Sequence, residues 1–227
     1  MRRAVLLGVA ILALSACSDP KAASKDNFKT AIDAYIAQNP PCLSIPRGPE
    51  RPQGENQPDF PRYVSAAPPT SDIQRQNRER ERAPFDALVA AGLMSVSETT
   101  IKVRSGLWAN DVSDMPVRAY DLTTEGRNAV SEVGARTALT APQQRLCYGR
   151  PTVDEIVQFT EPADAMGVKA SRVSYRYHLA DLPGWARNPA MLAAFPQLQR
   201  DSASSIDASA AVILTNDGWV HERAFRR

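Results

Sequence analysis

The chain has 227 residues, 43% of them hydrophobic, enough for one compact domain or two small ones with a real core. Lysine and arginine number 27 against 25 aspartates and glutamates, a formal charge of +2. A nucleic-acid binder needs a net basic face to displace counterions from phosphates, so this balance argues against DNA or RNA as a partner.

The chain opens with a short cationic patch, Met1-Arg2-Arg3, and runs uncharged and mostly apolar from Ala4 to Ala16, ending Leu14-Ser15-Ala16-Cys17. A helix that crosses a bilayer needs about 20 apolar residues. This stretch is too short for a permanent span, the polar run Ser18-Asp19-Pro20-Lys21 follows at once, and the whole has the shape of a signal peptide. The Leu-Ser-Ala-Cys ending resembles the lipobox of bacterial lipoproteins. That resemblance implies removal of residues 1–16, lipidation of Cys17 with acyl chains such as palmitate, and a tether over 17–25. The alternative is an ordinary signal peptide cut near Ala16, with Cys17 free or disulfide-bonded. Each buried methylene contributes about 0.8 kcal/mol, so two or more chains hold a soluble domain to the membrane essentially permanently. Ser18 stands where an Asp would resemble the inner-membrane retention signal, so in a two-membrane cell the expected site is the outer membrane, facing the periplasm. Loss of Arg2 and Arg3 leaves 25 basic against 25 acidic residues, a near-neutral mature chain.

With Cys17 assigned to lipid, Cys42 and Cys147 remain as an even pair in an oxidising compartment, which reads as a disulfide. Two separate buried thiols, or a metal site shared with His178 and His221, are the alternatives. None of these ligands has the close paired spacing of a zinc site, so no metal and no cofactor is expected.

From Asp26 to Asn39, Phe28, Ala31, Ile32, Tyr35 and Ile36 recur at helical spacing, with Asp26 as the expected cap and Asn39-Pro40-Pro41 as the stop. Residues 40–69 hold nine of the eighteen prolines, which bars helix and most ladder pairing and predicts an extended surface strap. Gln74 to Arg82 alternates charge and feeds the apolar run Pro84 to Leu93, a wet helix leading into a buried one with Gly92 as its C-terminal cap. Strands are expected at Thr100–Arg104 and Val117–Asp121, separated by a loop holding Trp108, and Leu122-Thr123-Thr124-Glu125 starts a short helix with a Thr cap.

Leu88, Gly92, Leu93, Tyr120, Leu122, Thr123, Gly126 and Arg127 carry a pattern similar to the helix and wing of winged-helix domains, over residues 72–132. The resemblance implies a local helix-and-hairpin fold. Its family's DNA binding is not carried over, because Arg75, Arg78, Arg80 and Arg82 are interleaved with Glu79 and Glu81 and an exported protein meets no genome.

From Thr152 onward strands dominate. A strand over Val153–Thr160 could pair with the next, in which Val173, Tyr175, Tyr177 and Leu179 alternate with Arg172, Ser174, Arg176 and His178. A short helix follows at Trp185–Phe195, and Ala210–Thr215, Asn216-Asp217-Gly218 and Trp219–Phe225 read as a closing hairpin whose first strand is central with both faces covered. The expected class is α+β: residues 26–140 as a helical and wing-like part, and 141–227 as an antiparallel sheet with one or two helices.

Enzyme signatures are missing: no Gly-x-Ser-x-Gly elbow, no His-Glu-x-x-His and no glycine-rich phosphate loop. Ser18-Asp19-Pro20-Lys21 matches Ser-x-x-Lys, but that motif must open a buried helix, and here it lies in the tether. Asp154 and Glu155 are neighbours on a strand and so are expected on opposite faces. The expected function is a non-enzymatic module that binds an envelope protein or component, with the strap, Tyr63, Trp108 and Trp185 as contacts. A second class is a binder of a small anionic ligand on the Arg172, Arg176 and His178 face, and a third is a hydrolase of unrecognised type.

Overall fold

The computed structural model describes residues 19–54, 59–104, 111–134, 142–165 and 167–225, so Cys17 and Trp108 lie outside the described residues. The elements in chain order are α1 (Lys25–Ile36), β1 (Cys42–Ser44), β2 (Arg62–Ser65), α2 (Asp72–Ala90), β3 (Met94–Arg104), β4 (Val112–Leu122), α3 (Thr124–Ala129), β5 (Val130–Val133) and β6 (Gln143–Cys147). The chain continues with β7 (Arg150–Phe159), β8 (Ala163–Ala165), β9 (Val168–Ala180), a 3-10 turn at Gly184–Arg187, α4 (Pro189–Ala194), α5 (Pro196–Asp201), β10 (Ile206–Thr215) and β11 (Gly218–His221). Helices pack with antiparallel sheets, and the class is α+β.

Three sheets form. The largest has the order β11-β10-β9-β7, with β8 also paired to β9; β2-β4-β3 and β1-β6-β5 are smaller. The apolar stripe of α1 lies on the large sheet, where Phe28, Ala31 and Ile32 pack with Val153, Ile156, Val173, Tyr175, Val212 and Trp219. The first helix therefore belongs with the C-terminal sheet, and a division at residue 140 does not run between packing units. A second cluster reaches across the chain, from Leu43 and Val64 through Phe85, Leu88 and Tyr120 to Leu146, Tyr148, Met191 and Leu198. Tyr120 and Tyr148 are buried there, and their hydroxyls donate to Asp86 at 2.8 Å and to Asp201 at 2.6 Å.

Ser24, not Asp26, caps α1: its hydroxyl accepts from the Asn27 N–H at 3.2 Å, and Asp26 sits in the first turn. α2 is one continuous helix from Asp72 with Ser71 as its cap, and Pro84 lies inside it. It ends in a Schellman arrangement, with Leu93 N–H donating to Leu88 C=O and Gly92 N–H to Val89 C=O, both at 2.9 Å. Thr123 caps α3 as its sequence predicts, at 3.0 Å to Gly126 N–H. Between β2 and the β3–β4 hairpin there is a single helix rather than a pair.

Other expectations need correction. The strands begin earlier than expected, at Met94 and Val112. The strap is not wholly unpaired, since Cys42–Ser44 and Arg62–Ser65 find strand partners between the prolines. Trp185–Phe195 is not one helix: Pro189 and Pro196, which cannot donate within a helix, each start a new short one. β11 stops at His221, short of Phe225, and β10 is central but half-buried at Ala211, Ile213 and Leu214, so its second face is only partly covered.

Cys42 and Cys147 stand directly opposite on β1 and β6 and are disulfide-bonded. The bridge closes a loop with a sequence separation of 105. In the chain-entropy account a loop of that size stabilises the fold by about 4 to 5 kcal/mol.

Candidate functional site

The strap wraps over the β2-β4-β3 sheet and the first half of α2. It is pinned by backbone contacts: Glu50 N–H donates to Tyr63 C=O at 3.3 Å and Gln53 N–H to Lys102 C=O at 2.7 Å. Gly48 lies so close to Tyr63 that a Cβ placed there would sit 2.3 Å from the Tyr63 carbonyl oxygen, so only glycine lets the strap lie down. Tyr63 is half-buried and packs against Ile101, Val103 and Val117.

Three clefts open along this pinned segment. One of about 310 Å³ is lined by Glu50, Arg51, Asp59, Arg62 and Tyr63, a second of about 440 Å³ by Arg47, Asp59, Arg62 and Gln144, and a third of about 150 Å³ by Arg75, Arg78, Glu79 and Arg82. Across the three, Arg47, Arg51, Arg62, Arg75, Arg78 and Arg82 face Glu50, Asp59 and Glu79, a cationic excess in a chain that is otherwise balanced. Arg62 lies between the first two clefts. Its guanidinium sits 4.8 Å from the Phe60 ring centre and 3.6 Å from an Asp59 carboxylate that is 71% exposed. Burial pulls the Arg62 guanidinium below its usual range; Asp59 opposes this, and Arg47 and Arg51 add to it. Glu50 is pushed up, by burial first and then by Glu81, with Arg78 opposing.

Several guanidinium N–H groups here are buried and unpartnered, namely Arg62 Nε, Arg78 Nη1 and Arg82 Nε, although another nitrogen of Arg82 donates to Ser65 C=O at 2.7 Å. An unmet buried donor costs about 1–3 kcal/mol, and each of these belongs to an arginine whose side chain also lines one of the clefts. Arg78 and Arg82 belong to the run Gln74 to Arg82, whose alternating charge predicts only a solvated helix face. The available signal was the spacing of Arg75, Arg78 and Arg82, which places all three on one face of a helix.

The face expected to bind anions is built differently from its sequence reading. β7 shifts register between Val153 and Glu155, and this bulge turns both Asp154 and Glu155 outward, where strict alternation would separate them. Both meet partners on β9, Glu155 directly opposite Arg176 and Asp154 from the bulge. His178 Nδ1 lies 2.7 Å from Asp154, and Arg176 lies 2.9 Å from Glu155 and 3.6 Å from Asp207 on β10. The carboxylates on this face thus come from the protein itself, and of the three predicted residues only Arg172 has no ion-pair partner among the described residues.

His221 is buried elsewhere, stacked on Tyr35 with ring centres 4.1 Å apart, and its Nδ1 accepts from Arg223 N–H at 3.1 Å. Trp185 is half-buried, edge-on to Tyr148 at 6.1 Å, and packs on the main core. It also lines a shallow cleft with Glu125, Ser131 and Cys147. Among the described residues no three of His, Cys, Asp and Glu converge to hold a metal ion, and no helix is long and apolar enough to cross a membrane.

Comparison with models of protein families, with curated proteins and with solved structures finds no match for this chain.

Proposed function

We propose that this chain is a lipid-anchored cell-envelope protein, held by acyl chains on Cys17, whose folded part is a binding module that captures an acidic segment of an envelope partner along the strap. The observation that carries the binding reading is the excess of arginines along the clefts of the pinned strap, where Arg47, Arg51, Arg62, Arg75, Arg78 and Arg82 stand against Glu50, Asp59 and Glu79. A carboxylate-bearing segment laid there would meet that excess charge, and charge-assisted bonds from arginine forks are strong and directional. Tyr63, which lines the first cleft with Arg51 and Arg62, offers an aromatic edge of the kind that interfaces favour.

The test is photo-crosslinking in intact envelopes with a probe at Tyr63, comparing the native arginines with the double variant Arg62→Glu, Arg78→Glu. A discrete protein adduct that disappears on charge reversal, in a protein that still folds, supports the reading. An adduct indifferent to charge reversal, or no protein adduct, overturns it.

A small anionic ligand on the Arg172, Arg176 and His178 face is the second reading. It is supported by Arg172, which lacks an ion-pair partner, but a ligand there must displace Glu155 or Asp207 from Arg176.

A further inference from the structure

The fold begins almost at the cysteine. Asp19 C=O accepts from Ala22 N–H at 3.0 Å and from the Asn27 side chain at 2.8 Å, so residues 19–22 form a turn locked to α1. The indole N–H of Trp219 donates to the carbonyls of both Lys21 and Ala22, at 3.1 Å each. Pro20 lies on the β10–β11 turn: a Cβ added to Gly218 would sit 3.0 Å from the Pro20 carbonyl oxygen, and the Gly218 φ of +127° is one that side-chain-bearing residues rarely adopt.

The segment expected to be a nine-residue tether over 17–25 is therefore largely part of the folded body. Between Cys17 and Asp19 there are two residue steps, which span at most roughly 7 Å. A bilayer of about 40–45 Å with a hydrocarbon core of about 30 Å leaves a polar layer of comparable thickness on each side. A lipid on Cys17 leaves no room for a spacer between this corner and the headgroups.

We infer that the domain is seated flush on the membrane, with the 19–22 turn and the β10–β11 turn at Asn216–Asp217 in contact with the phospholipid headgroup layer. This rests on the lipid-anchor reading and adds to it a defined orientation. The corner is polar and exposed at Asp19, Lys21, Asn216 and Asp217, suited to headgroups and not to hydrocarbon. Lys21 and Lys25 are offset by Asp19, Asp26 and Asp217, so seating follows from the anchor and is indifferent to anionic lipid. The strap packs on other hydrophobic clusters than this corner.

The experiment uses the lipid-bearing protein purified from membranes and reconstituted into phosphatidylethanolamine–phosphatidylglycerol vesicles doped with a headgroup-nitroxide lipid. A fluorophore is placed on Asn216→Cys or, as the control on β3, on Ser97→Cys; lipid and disulfide occupy the native cysteines. Quenching several-fold stronger at 216 than at 97 is the expected result. Weak and equal quenching at both sites, in protein that floats with the vesicles, overturns the seating while leaving the lipid anchor intact. Equal flotation of a Cys17→Ser variant overturns the anchor, and the seating falls with it.

Discussion

The indole N–H of Trp219, on the last strand, donates to the carbonyl oxygen of Lys21 at 3.1 Å, joining the two ends of the described chain. The same ring packs edge-on against Phe28 at 4.9 Å, so one residue fixes both the entry of the chain and the seat of α1. Trp219→Phe keeps the apolar ring and removes two hydrogen bonds. The expected loss is about 1–2 kcal/mol in urea unfolding, with new proteolytic cleavage between residues 19 and 24; unchanged protection of that segment would contradict the docking.

The Cys42–Cys147 bridge ties β1 to β6 across a separation of 105 residues. The double variant Cys42→Ala, Cys147→Ala should lose about 2–5 kcal/mol of stability. Peptide maps of the native protein, run reduced and non-reduced, should differ by this one crosslink. Free thiols at both positions would remove the link.

Gly48→Ala places a methyl against the Tyr63 backbone at 2.3 Å from oxygen and 2.6 Å from nitrogen. Backbone on both sides leaves nothing flexible to yield, so the strap must lift, at about 1–3 kcal/mol. The readout is hydrogen exchange at the Glu50 and Gln53 amides, which should quicken. An unaltered rate would mean that the strap is not pinned there.

Burial lowers the His221 imidazole below its ordinary range; Glu222 opposes the shift and Arg223 adds to it. The unfolded chain, with a pKa near 6.5, then binds a proton that the fold resists. Stability is full above about pH 6.5 and falls as the pH drops through that value toward the folded pKa. Glu50 acts with the opposite sign and at lower pH, since its raised carboxyl gains the proton more easily in the fold. Urea midpoints between about pH 7.5 and 5.5 should therefore slope downward with acid in the native protein and flatten in His221→Phe, which keeps a ring on Tyr35. Parallel slopes would show that His221 is not the group responsible.

Local pattern carried much of this fold. The alternation of Val173, Tyr175 and Leu179 with Arg172, Arg176 and His178, the stripe of α1, the Thr123 cap and the Gly92 stop are all written in spacings of two to four residues. What stayed hidden depends on distant partners. The edge of β7 is closed by α1, where Asp33 accepts Val153 N–H at 2.7 Å and Lys29 donates to Val153 C=O, a contact across 120 residues with no local signature. The bulge that brings Asp154 and Glu155 onto one face is likewise invisible to a period-two reading. The arginine clefts have no local signature at Arg47, Arg51 and Arg62, which converge only when the proline-rich strap doubles back on itself, although the helical spacing of Arg75, Arg78 and Arg82 is present to be read.

The lipid anchor is tested by the intact mass and N-terminal peptide of the protein extracted from bacterial membranes. The expected result is a mature chain that starts at Cys17 and carries acyl chains, with Cys17→Ser material released to the soluble fraction. A chain beginning elsewhere, or an unmodified Cys17 in membrane-bound protein, would contradict it.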